Sequence, residues 1–297
     1  MFGLMRAIIG DIWSHPANRG NRLRVLARSF GWQLYKRLIR RSLDIKVFGS
    51  LTMRCYPNSS VASNLIYTNG WPDYNEMRFM RRYLRKGDSV LDVGANVGVY
   101  TLLAASLVGS EGHVDAYEPG PIALKRLREN VRVNRLSHVK VSGAAVGEAP
   151  GVAVFLRDLD STNRFATADD ARKSTVEVSV VKLDEEAAGR TYALGKMDIE
   201  GAEPTAFRGA EQLLRGANPP VWIMEFKDRL LKRFGYSATD FAAWLRERGY
   251  VLASYEEDHV ALRANCSTEC ENVIAVAESA MERLKQRIPE LTVQLFC

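Results

Sequence analysis

The chain has 297 residues, enough for one large domain with an extension and a sizeable hydrophobic core. Its apolar fraction of 46% and charged fraction of 26% are those of an ordinary soluble protein and exclude a disordered or fibrous chain. The net charge of +6 is unevenly spread, because residues 1–50 sum to +8 and the remaining residues to −2. Four cysteines are too few for a disulfide scaffold, and Cys266-x-x-x-Cys270 lacks the second Cys/His pair of a metal site.

The first 13 residues are apolar but are interrupted by Arg6 and Asp11. This segment is too short to span a bilayer, and it lacks the small-residue cleavage site of a signal peptide. We therefore expect a cytoplasmic protein, in which residues 1–50 form a basic helical extension of a domain at 51–297.

Residues 22–40 are predicted to form an amphipathic helix, because apolar side chains recur at helical spacing with basic residues on the other faces. The apolar residues of this stripe are Leu23, Leu26, Phe30, Leu34 and Leu38. We expect the helix to lay the stripe on the main domain, since Gly31 and the modest length disfavour an independent membrane helix. The alternative is that residues 1–40 contact an anionic membrane or grip an acidic partner.

The pattern over residues 43–56 predicts a β-hairpin, and residues 58–72 predict a loop rich in turn residues. A helix is expected over residues 73–84, with Asp73 as its N-terminal cap. This helix leads into the first strand of the predicted sheet.

The stretch from Asp88 to Thr101 is predicted to form a buried strand, a glycine turn and a helix. Gly94 and Gly98 allow positive φ and a close approach of a ligand to the backbone, and the first amides of the helix can meet a negative group. The spacing Asp-x-Gly-x-x-x-Gly differs from the G-x-G-x-x-G of dinucleotide enzymes. A carboxylate at Asp92, just before the turn, suits a ligand with an ammonium group, which points to S-adenosylmethionine.

A second strand over residues 112–119 ends at Glu118, twenty residues after Gly98. An acidic side chain at this place can accept hydrogen bonds from both ribose hydroxyls of an adenosine. Glu76, on the preceding helix, is expected to face the amino acid end of the cofactor, with a surface carboxylate as the alternative. The predicted cofactor-binding residues are Glu76, Asp92, Gly94, Ala95, Asn96, Gly98, Glu118, Pro119 and Asp198.

The remaining chain alternates strand and helix patterns, with a third strand at 138–146 and an insertion at 152–181 that contains a polar loop at 157–174. The later predicted strands are 192–199, 221–225, 250–255 and 271–276, the last one antiparallel, and the predicted helices are 121–134, 204–214, 239–248 and 278–287. This alternation predicts helices on both faces of a mostly parallel sheet. The acidic motifs fall at the carboxyl ends of the strands, where such sheets bind ligands.

These motifs resemble those of the FkbM family of S-adenosylmethionine-dependent methyltransferases. The resemblance covers roughly residues 60–276 and rests on Leu91–Thr101, Tyr117–Pro119, Asn130, Leu183-Asp184, Lys196–Glu203 and Glu225. It implies an α/β class I methyltransferase fold, which is Rossmann-like and doubly wound, with a mostly parallel seven-stranded sheet and an antiparallel last strand. It also implies methyl transfer to oxygen, so the expected acceptor is a hydroxyl of a small molecule such as a sugar or secondary metabolite, or of a glycan or lipid.

A hydroxyl acceptor must lose a proton, which requires a base or a metal ion. Asp198, Glu200 and Glu203 follow the fourth predicted strand and are the candidate catalytic residues. Asp198 is expected to face the cleft, whereas Glu203 can equally cap the helix that begins near Pro204. The three carboxylates can also be read as oxygen ligands of a divalent metal such as Mg²⁺, an alternative that we do not favour.

Two other classes of protein stay open. A nicotinamide-dependent oxidoreductase would use the same kind of sheet and an acidic residue at Glu118, but the glycine spacing argues against it. A non-catalytic nucleoside-binding or membrane-associated module would use the basic N-terminal helix, although the intact acidic motifs favour catalysis. No nucleic-acid partner is expected, and the sequence leaves the oligomeric state open.

Overall fold

The structure is a computed structural model that describes residues 2–156, 165, 174–264 and 272–294, with side chains from residue 8 onward. Most of the predicted polar loop at 157–174 lies outside the described residues, as do Cys266 and Cys270.

The described elements follow the predicted alternation of helices and strands. The helices are α1 (Phe2–Ser14), α2 (Arg22–Leu38), α3 (Ser60–Tyr67), α4 (Tyr74–Tyr83), α5 (Val99–Val108), α6 (Pro121–Val133), α7 (Leu183–Glu186), α8 (Glu203–Arg208), α9 (Glu211–Arg215), α10 (Asp228–Leu231), α11 (Ala238–Arg246) and α12 (Met281–Arg287). The strands are β1 (Leu43–Val47), β2 (Leu51–Cys55), β3 (Ser89–Val93), β4 (His113–Tyr117), β5 (Val139–Ser142), β6 (Ala145–Val146), β7 (Gly151–Leu156), β8 (Thr175–Val181), β9 (Leu194–Met197), β10 (Val221–Glu225), β11 (Tyr250–Glu256), β12 (Ala261–Ala264), β13 (Asn272–Ala277) and β14 (Thr292–Gln294).

The main sheet has the strand order β14-β12-β11-β13-β10-β9-β3-β4-β5. Strands β5, β4, β3, β9 and β10 are parallel, and β13 lies antiparallel between β10 and β11. These seven strands form the predicted doubly wound, mostly parallel sheet of a class I methyltransferase fold, with its antiparallel last strand. Strand order reverses at β3, because the chain runs outward through β4 and β5 and then returns to β9 on the other side of β3.

Two hydrophobic clusters cover the two faces of this sheet. Val90 of β3 packs in one cluster with Leu102 of α5, whereas the next residue, Leu91, packs in the other cluster with Phe207 of α8. The strand is therefore buried on both faces, which explains why it reads as a nearly continuous apolar run.

The sheet is longer than predicted, because β12 and β14 extend it beyond β11. Both strands are short, with four and three residues, so neither shows an alternating pattern that would reveal it. The predicted hairpin at 43–56 is confirmed by the antiparallel pairing of β1 with β2. The domain boundary expected at residue 50 falls in the turn of this hairpin and stays a prediction.

The prediction of one third strand over 138–146 was wrong. Strand β5 ends at Ser142 in the main sheet, and β6 pairs with β8 in a separate sheet of order β6-β8-β7. The chain bends at Gly143, where a Cβ would lie 2.8 Å from Cδ2 of Leu124, and the Ser142 hydroxyl accepts a bond from the amide of Ala144 at 3.3 Å. A local side-chain bond therefore ends the strand.

The predicted loop at 58–72 contains helix α3. Ser59 caps it, because its hydroxyl accepts a hydrogen bond from the amide of Ala62 at 3.3 Å, and Leu65 and Ile66 are fully buried. The single helix predicted at 204–214 is instead the pair α8 and α9. It breaks at Gly209, where a Cβ would overlap the backbone oxygen of Gly147.

Helix α2 packs on the domain through a different face from the predicted one. Val25, Ser29 and Trp32 are buried, and the Trp32 indole donates to the Ser63 hydroxyl of α3 at 3.0 Å. The prediction that the leucine stripe packs inward was wrong, because α3 supplies a contact surface on the opposite side. Among the described residues, no helix combines the length and apolar character needed to cross a membrane.

Candidate functional site

The glycine turn after β3 brings the ends of three strands together. Gly94 has φ +80°, and a Cβ there would overlap the backbone oxygen of Asp198 after β9. The amides of Gly94 and Ala95 both donate to the backbone oxygen of Tyr117 at the end of β4, at 2.9 Å. Gly98, with φ +97°, begins α5 and packs against Leu127, so its role is in packing. The positive φ expected at both glycines is found.

Asp92 is a buried carboxylate at the base of this turn. Its Oδ2 accepts a hydrogen bond from the Thr101 hydroxyl at 2.5 Å, whereas Oδ1 has no hydrogen-bond partner among the described residues. Burial raises the pKa of Asp92, and the nearby Lys196 ammonium and the bonds to Thr101 oppose that shift. Asp92 therefore offers a buried acceptor to a ligand that carries a donor.

Glu118 directly follows β4 and is almost fully buried. Its Oε2 accepts from the amide of Asn96 at 2.8 Å, and its Oε1 accepts from the amide of Gly120 at 2.7 Å. Burial raises the pKa of Glu118 to about 7, while the two amide bonds act in the opposite direction. The amides fix the orientation of the carboxylate, and each oxygen keeps a lone pair for a further donor.

Two clefts open at this edge of the sheet. The first cleft is lined by Val93, Gly94, Asn96, Tyr117, Glu118, Pro119, Ala144, Ala145, Val146, Phe155, Phe165, Asp198, Ile199 and Glu200. The second cleft is lined by Ser60, Val61, Asn64, Pro72, Asp73, Asp92, Gly94, Ala95, Asn96, Val99, Tyr100, Lys196 and Asp198. Gly94, Asn96 and Asp198 line both clefts, so one extended ligand can occupy both.

The two clefts differ in chemistry. The first has an apolar wall that includes Phe155 and Phe165, whose rings meet edge to face at 5.8 Å, next to the carboxylate of Glu118. The second is polar and contains the carboxylates of Asp73 and Asp92. A ligand with a flat apolar part, a diol and a cationic end matches this order of surfaces.

Lys196 of β9 is the buried cation of the second cleft. Its Nζ donates to Oδ2 of Asp198 at 2.8 Å and lies 4.6 Å from the centroid of the Tyr100 ring. Burial alone would lower the pKa of Lys196, but Asp198, Asp92 and Asp73 outweigh it and the pKa is raised. The lysine therefore stays charged and holds several carboxylates in one small space.

Asp73 and Tyr100 complete the second cleft, and sequence reasoning missed both. The expected side-chain cap of α4 by Asp73 is not formed. Burial raises the pKa of the Asp73 carboxyl, and the nearby Lys196 ammonium and Tyr100 hydroxyl oppose that shift. Glu76 lies half-buried in the first turn of α4, and its charge adds to the burial and the Asp73 charge that raise the pKa of Tyr100. The signal for Lys196 was a charged residue inside an otherwise apolar strand.

Asp198, Glu200 and Glu225 form an acidic trio where β9 and β10 end. One carboxylate oxygen of each lies within 4.8 Å of the others. Glu225 is buried, its Oε1 accepts from Nζ of Lys227 at 2.9 Å, and its Oε2 has no hydrogen-bond partner among the described residues. This trio has the oxygen donors that a hard divalent cation prefers, although Lys196 and Lys227 already compensate two of its charges.

Glu200 is the member of the trio with a strained backbone, with φ +58°. Burial, followed by the charges of Glu225 and Asp198, raises its pKa to about 7. A carboxylate with such a pKa can exchange a proton near neutral pH.

Glu203 is not part of this trio. Its side chain is almost fully buried, and its Oε1 accepts from the amide of Ile199 at 2.9 Å, which holds the turn that enters α8. Burial raises the pKa of Glu203 to about 8. The contact fixes the turn before α8, and the catalytic assignment of Glu203 stays a prediction.

Most predicted site residues meet in the two clefts, and a few do not. Those that line a cleft are Asp92, Gly94, Ala95, Asn96, Glu118, Pro119, Asp198 and Glu200. Asn130 of α6 supports the turn from behind, because its side chain donates to the backbone oxygen of Val97 at 2.9 Å and accepts from the amide of Arg54 at 2.8 Å.

Comparison of the sequence with known proteins gives a family match. The model of the methyltransferase FkbM domain family matches residues 92–252. The 31-O-demethyl-FK506 methyltransferase FkbM of Streptomyces tacrolimicus is 30% identical over 161 residues, which cover 43% of this chain and 61% of that protein. The ribosomal protein L11 methyltransferase of Bacillus subtilis (strain 168) is 35% identical over 60 residues, which cover 20% of this chain and 19% of that protein. The chain thus spans less than two thirds of the length of these curated relatives.

Among solved structures, the methyltransferase FkbM of Methylobacillus flagellatus KT has 15% sequence identity and a TM-score of 0.43, and the match covers 85% of this chain and 59% of that one. The family match extends over more than half of the sequence, from the carboxylate at the end of β3 to β11. The chain belongs to the FkbM methyltransferase family.

Proposed function

We propose that this protein is an S-adenosylmethionine-dependent methyltransferase that methylates a hydroxyl oxygen of a small molecule, glycan or lipid. The observation that carries the proposal is the pair of buried carboxylates, Asp92 and Glu118, which flank the glycine turn at the carboxyl ends of neighbouring parallel strands. This is the place where strand order reverses, and ligands of doubly wound sheets bind at that point.

The residues present fit the parts of this cofactor. Asp92 offers an unpaired oxygen to the ammonium group, and Glu118 has free lone pairs for the two ribose hydroxyls. Phe155 and Val146 provide apolar walls for the purine. Gly94, whose missing Cβ lets the backbone of Asp198 approach closely, lies at the junction of the two clefts.

Charge supports the same assignment. When bound, S-adenosylmethionine supplies an electrophilic methyl group on a positively charged sulfonium, so it favours an acidic site. Asp73, Asp92, Asp198 and Glu118 line the two clefts, with Lys196 as the buried cation among them. Carboxylates in a site with low-dielectric walls attract a cationic ligand and orient it.

The proton of the acceptor hydroxyl needs a base, and Glu200 is the best placed for this role. It lines the first cleft beside Asp198, and its raised pKa of about 7 suits proton exchange near neutral pH. Asp198, held by Lys196, lines both clefts and can orient the hydroxyl by accepting its hydrogen bond. Alignment and the exclusion of water supply the remainder of the rate.

The experiment that tests this function is methyl transfer with a cofactor labelled in its methyl group. Purified protein is incubated with separate sets of sugar, lipid and metabolite hydroxyls, and the label is followed into product. We expect one set to become labelled, and no labelling after Glu118→Ala. Binding of a nicotinamide dinucleotide without binding of S-adenosylmethionine would overturn the proposal in favour of an oxidoreductase.

A further inference from the structure

Helix α2 has a second apolar face that nothing in the described structure covers. Leu23, Phe30 and Leu38 are 74%, 64% and 76% exposed, and Leu34 is 43% exposed. Residues four and seven apart are neighbours on a helix, so the four side chains form one outward stripe on α2. Val25 and Trp32 occupy the opposite face and are buried against the domain, so the stripe lies outside the packing of α2 on the domain.

Helix α1 also exposes apolar side chains. Ile9 and Trp13 are 46% and 47% exposed, and the guanidinium of Arg22 lies 5.3 Å from the centroid of the Trp13 ring. An aromatic ring beside an arginine at the edge of an apolar face is typical of a surface that lies at a membrane interface.

Basic side chains border the stripe. The exposed residues Arg24, Arg37, Arg40 and Arg41 lie on α2 or just after it, and none of them forms an ion pair within the described part of the chain. Residues 1–50 together sum to +8. An apolar stripe with uncompensated arginines at its borders requires a partner that is both apolar and anionic.

We propose that the outward stripe of α2 (Leu23, Phe30, Leu34 and Leu38) docks on the surface of a bilayer that contains anionic lipids. The helix is about 25 Å long and can lie in the plane of the headgroups, with its leucines and phenylalanine in the acyl boundary and its arginines on the phosphates. A second copy of the chain fits less well, because it would bring together two segments that each carry a net charge of +8. An acidic protein would pair with the arginines, but its negative charge alone would not cover the four apolar side chains.

Vesicle sedimentation of the full-length protein tests this surface. We expect the parent to sediment with phosphatidylcholine vesicles that contain phosphatidylserine, to stay in solution with phosphatidylcholine alone, and to bind less as salt rises. The variant Leu23→Gln/Phe30→Gln/Leu38→Gln should bind the vesicles at least about tenfold more weakly, because it removes the apolar contact. Arg24→Gln/Arg37→Gln should also bind more weakly, and its binding should depend less on salt, because two of the basic side chains are removed.

The matched control is Val152→Gln/Val154→Gln, which removes two exposed apolar side chains from β7 and should bind vesicles as the parent does. All variants should keep the parent's melting temperature and its cofactor affinity, so failure here is separate from failure of the proposed function. The proposal is overturned if the parent ignores anionic vesicles at low salt or if the stripe variant binds as well as the parent. It is also overturned if the stripe residues mediate only dimerisation of the chain or only the binding of an acidic polypeptide, without binding vesicles.

Discussion

The proton-accepting role proposed for Glu200 can be tested by replacing its carboxylate with an amide. Glu200→Gln keeps the size of the side chain but removes the base, so methyl transfer should fall by about 10²–10⁴-fold while cofactor affinity is kept. In the parent, the rate should rise with pH through about 7, because the base acts only when it has lost its proton and its pKa is about 7. The variant should lack this rise.

Asp198→Asn serves as the companion variant, since it weakens the acceptor of the Lys196 ammonium without changing shape. Melting temperatures show whether either variant is merely less stable. Turnover close to that of the parent in both variants would show that alignment alone suffices. Loss of turnover on adding a chelator, restored by Mg²⁺, would instead give Asp198, Glu200 and Glu225 the role of metal ligands.

Asp92 combines a cost in stability with a gain in binding. Burial raises its pKa in the folded protein, so the ionised carboxylate opposes folding at neutral pH, and stability falls as pH rises through this titration. Asp92→Asn removes the charge and should raise the melting temperature of the ligand-free protein at pH 7. The same variant should bind the cofactor more weakly. A lower melting temperature would mean that the bond to Thr101 and the attraction of the Lys196 ammonium outweigh the burial.

At the scale of elements, the break between α8 and α9 gives a sharp test of close packing. Gly209→Ala should destabilise the protein by more than about 2 kcal/mol, because the new Cβ would overlap the backbone oxygen of Gly147, which cannot move independently. Gly31→Ala in α2 is the matched control, since no atom lies within 4 Å of its Cβ position.

The control should stabilise the protein by up to about 1 kcal/mol, the difference in helix propensity between glycine and alanine. Urea denaturation measures both changes. Equal stabilities for the two variants would contradict the packing described at Gly209.

Local sequence signals predicted the elements whose causes are local. The glycine turn follows from Gly94, and the ends of β3 and β4 follow from the placement of Asp92 and Glu118. Periodicity found α2 but could not tell which of its two apolar faces packs inward, because that depends on α3. Helix α3 itself was missed because its cap, Ser59, lies in a stretch rich in turn residues.

The same limit applies to the candidate site. Its two carboxylates at Asp92 and Glu118 could be read from the chain, since each stands at the end of a buried strand. The cluster around Lys196 could not, because it joins residues of β3, β9, α5 and the position before α4 that meet only in the folded sheet. Glu203 illustrates the same limit, since the sequence left catalysis and helix capping equally open, and its contact with the amide of Ile199 depends on the folded turn.

At the scale of the whole molecule, one chain presents two separate surfaces. The acidic clefts lie at the carboxyl ends of the parallel strands, and the basic apolar stripe lies on α2. Helix α3 connects them, because it packs against α2 while Ser60, Val61 and Asn64 line the second cleft. The positive charge of the N-terminal segment therefore lies at the α2 stripe, and the acidic side chains described above lie at the clefts.

Asp92 and Glu118 are proposed to hold S-adenosylmethionine across the glycine turn. Calorimetric titration of the parent, Asp92→Asn, Glu118→Gln and the exposed control Glu247→Gln tests it most directly. We expect roughly micromolar affinity in the parent and the control. Each cleft variant should lose at least about 1.5 kcal/mol of binding free energy, the worth of a charge-assisted hydrogen bond. Unchanged cofactor affinity in both cleft variants would show that these two carboxylates do not hold S-adenosylmethionine.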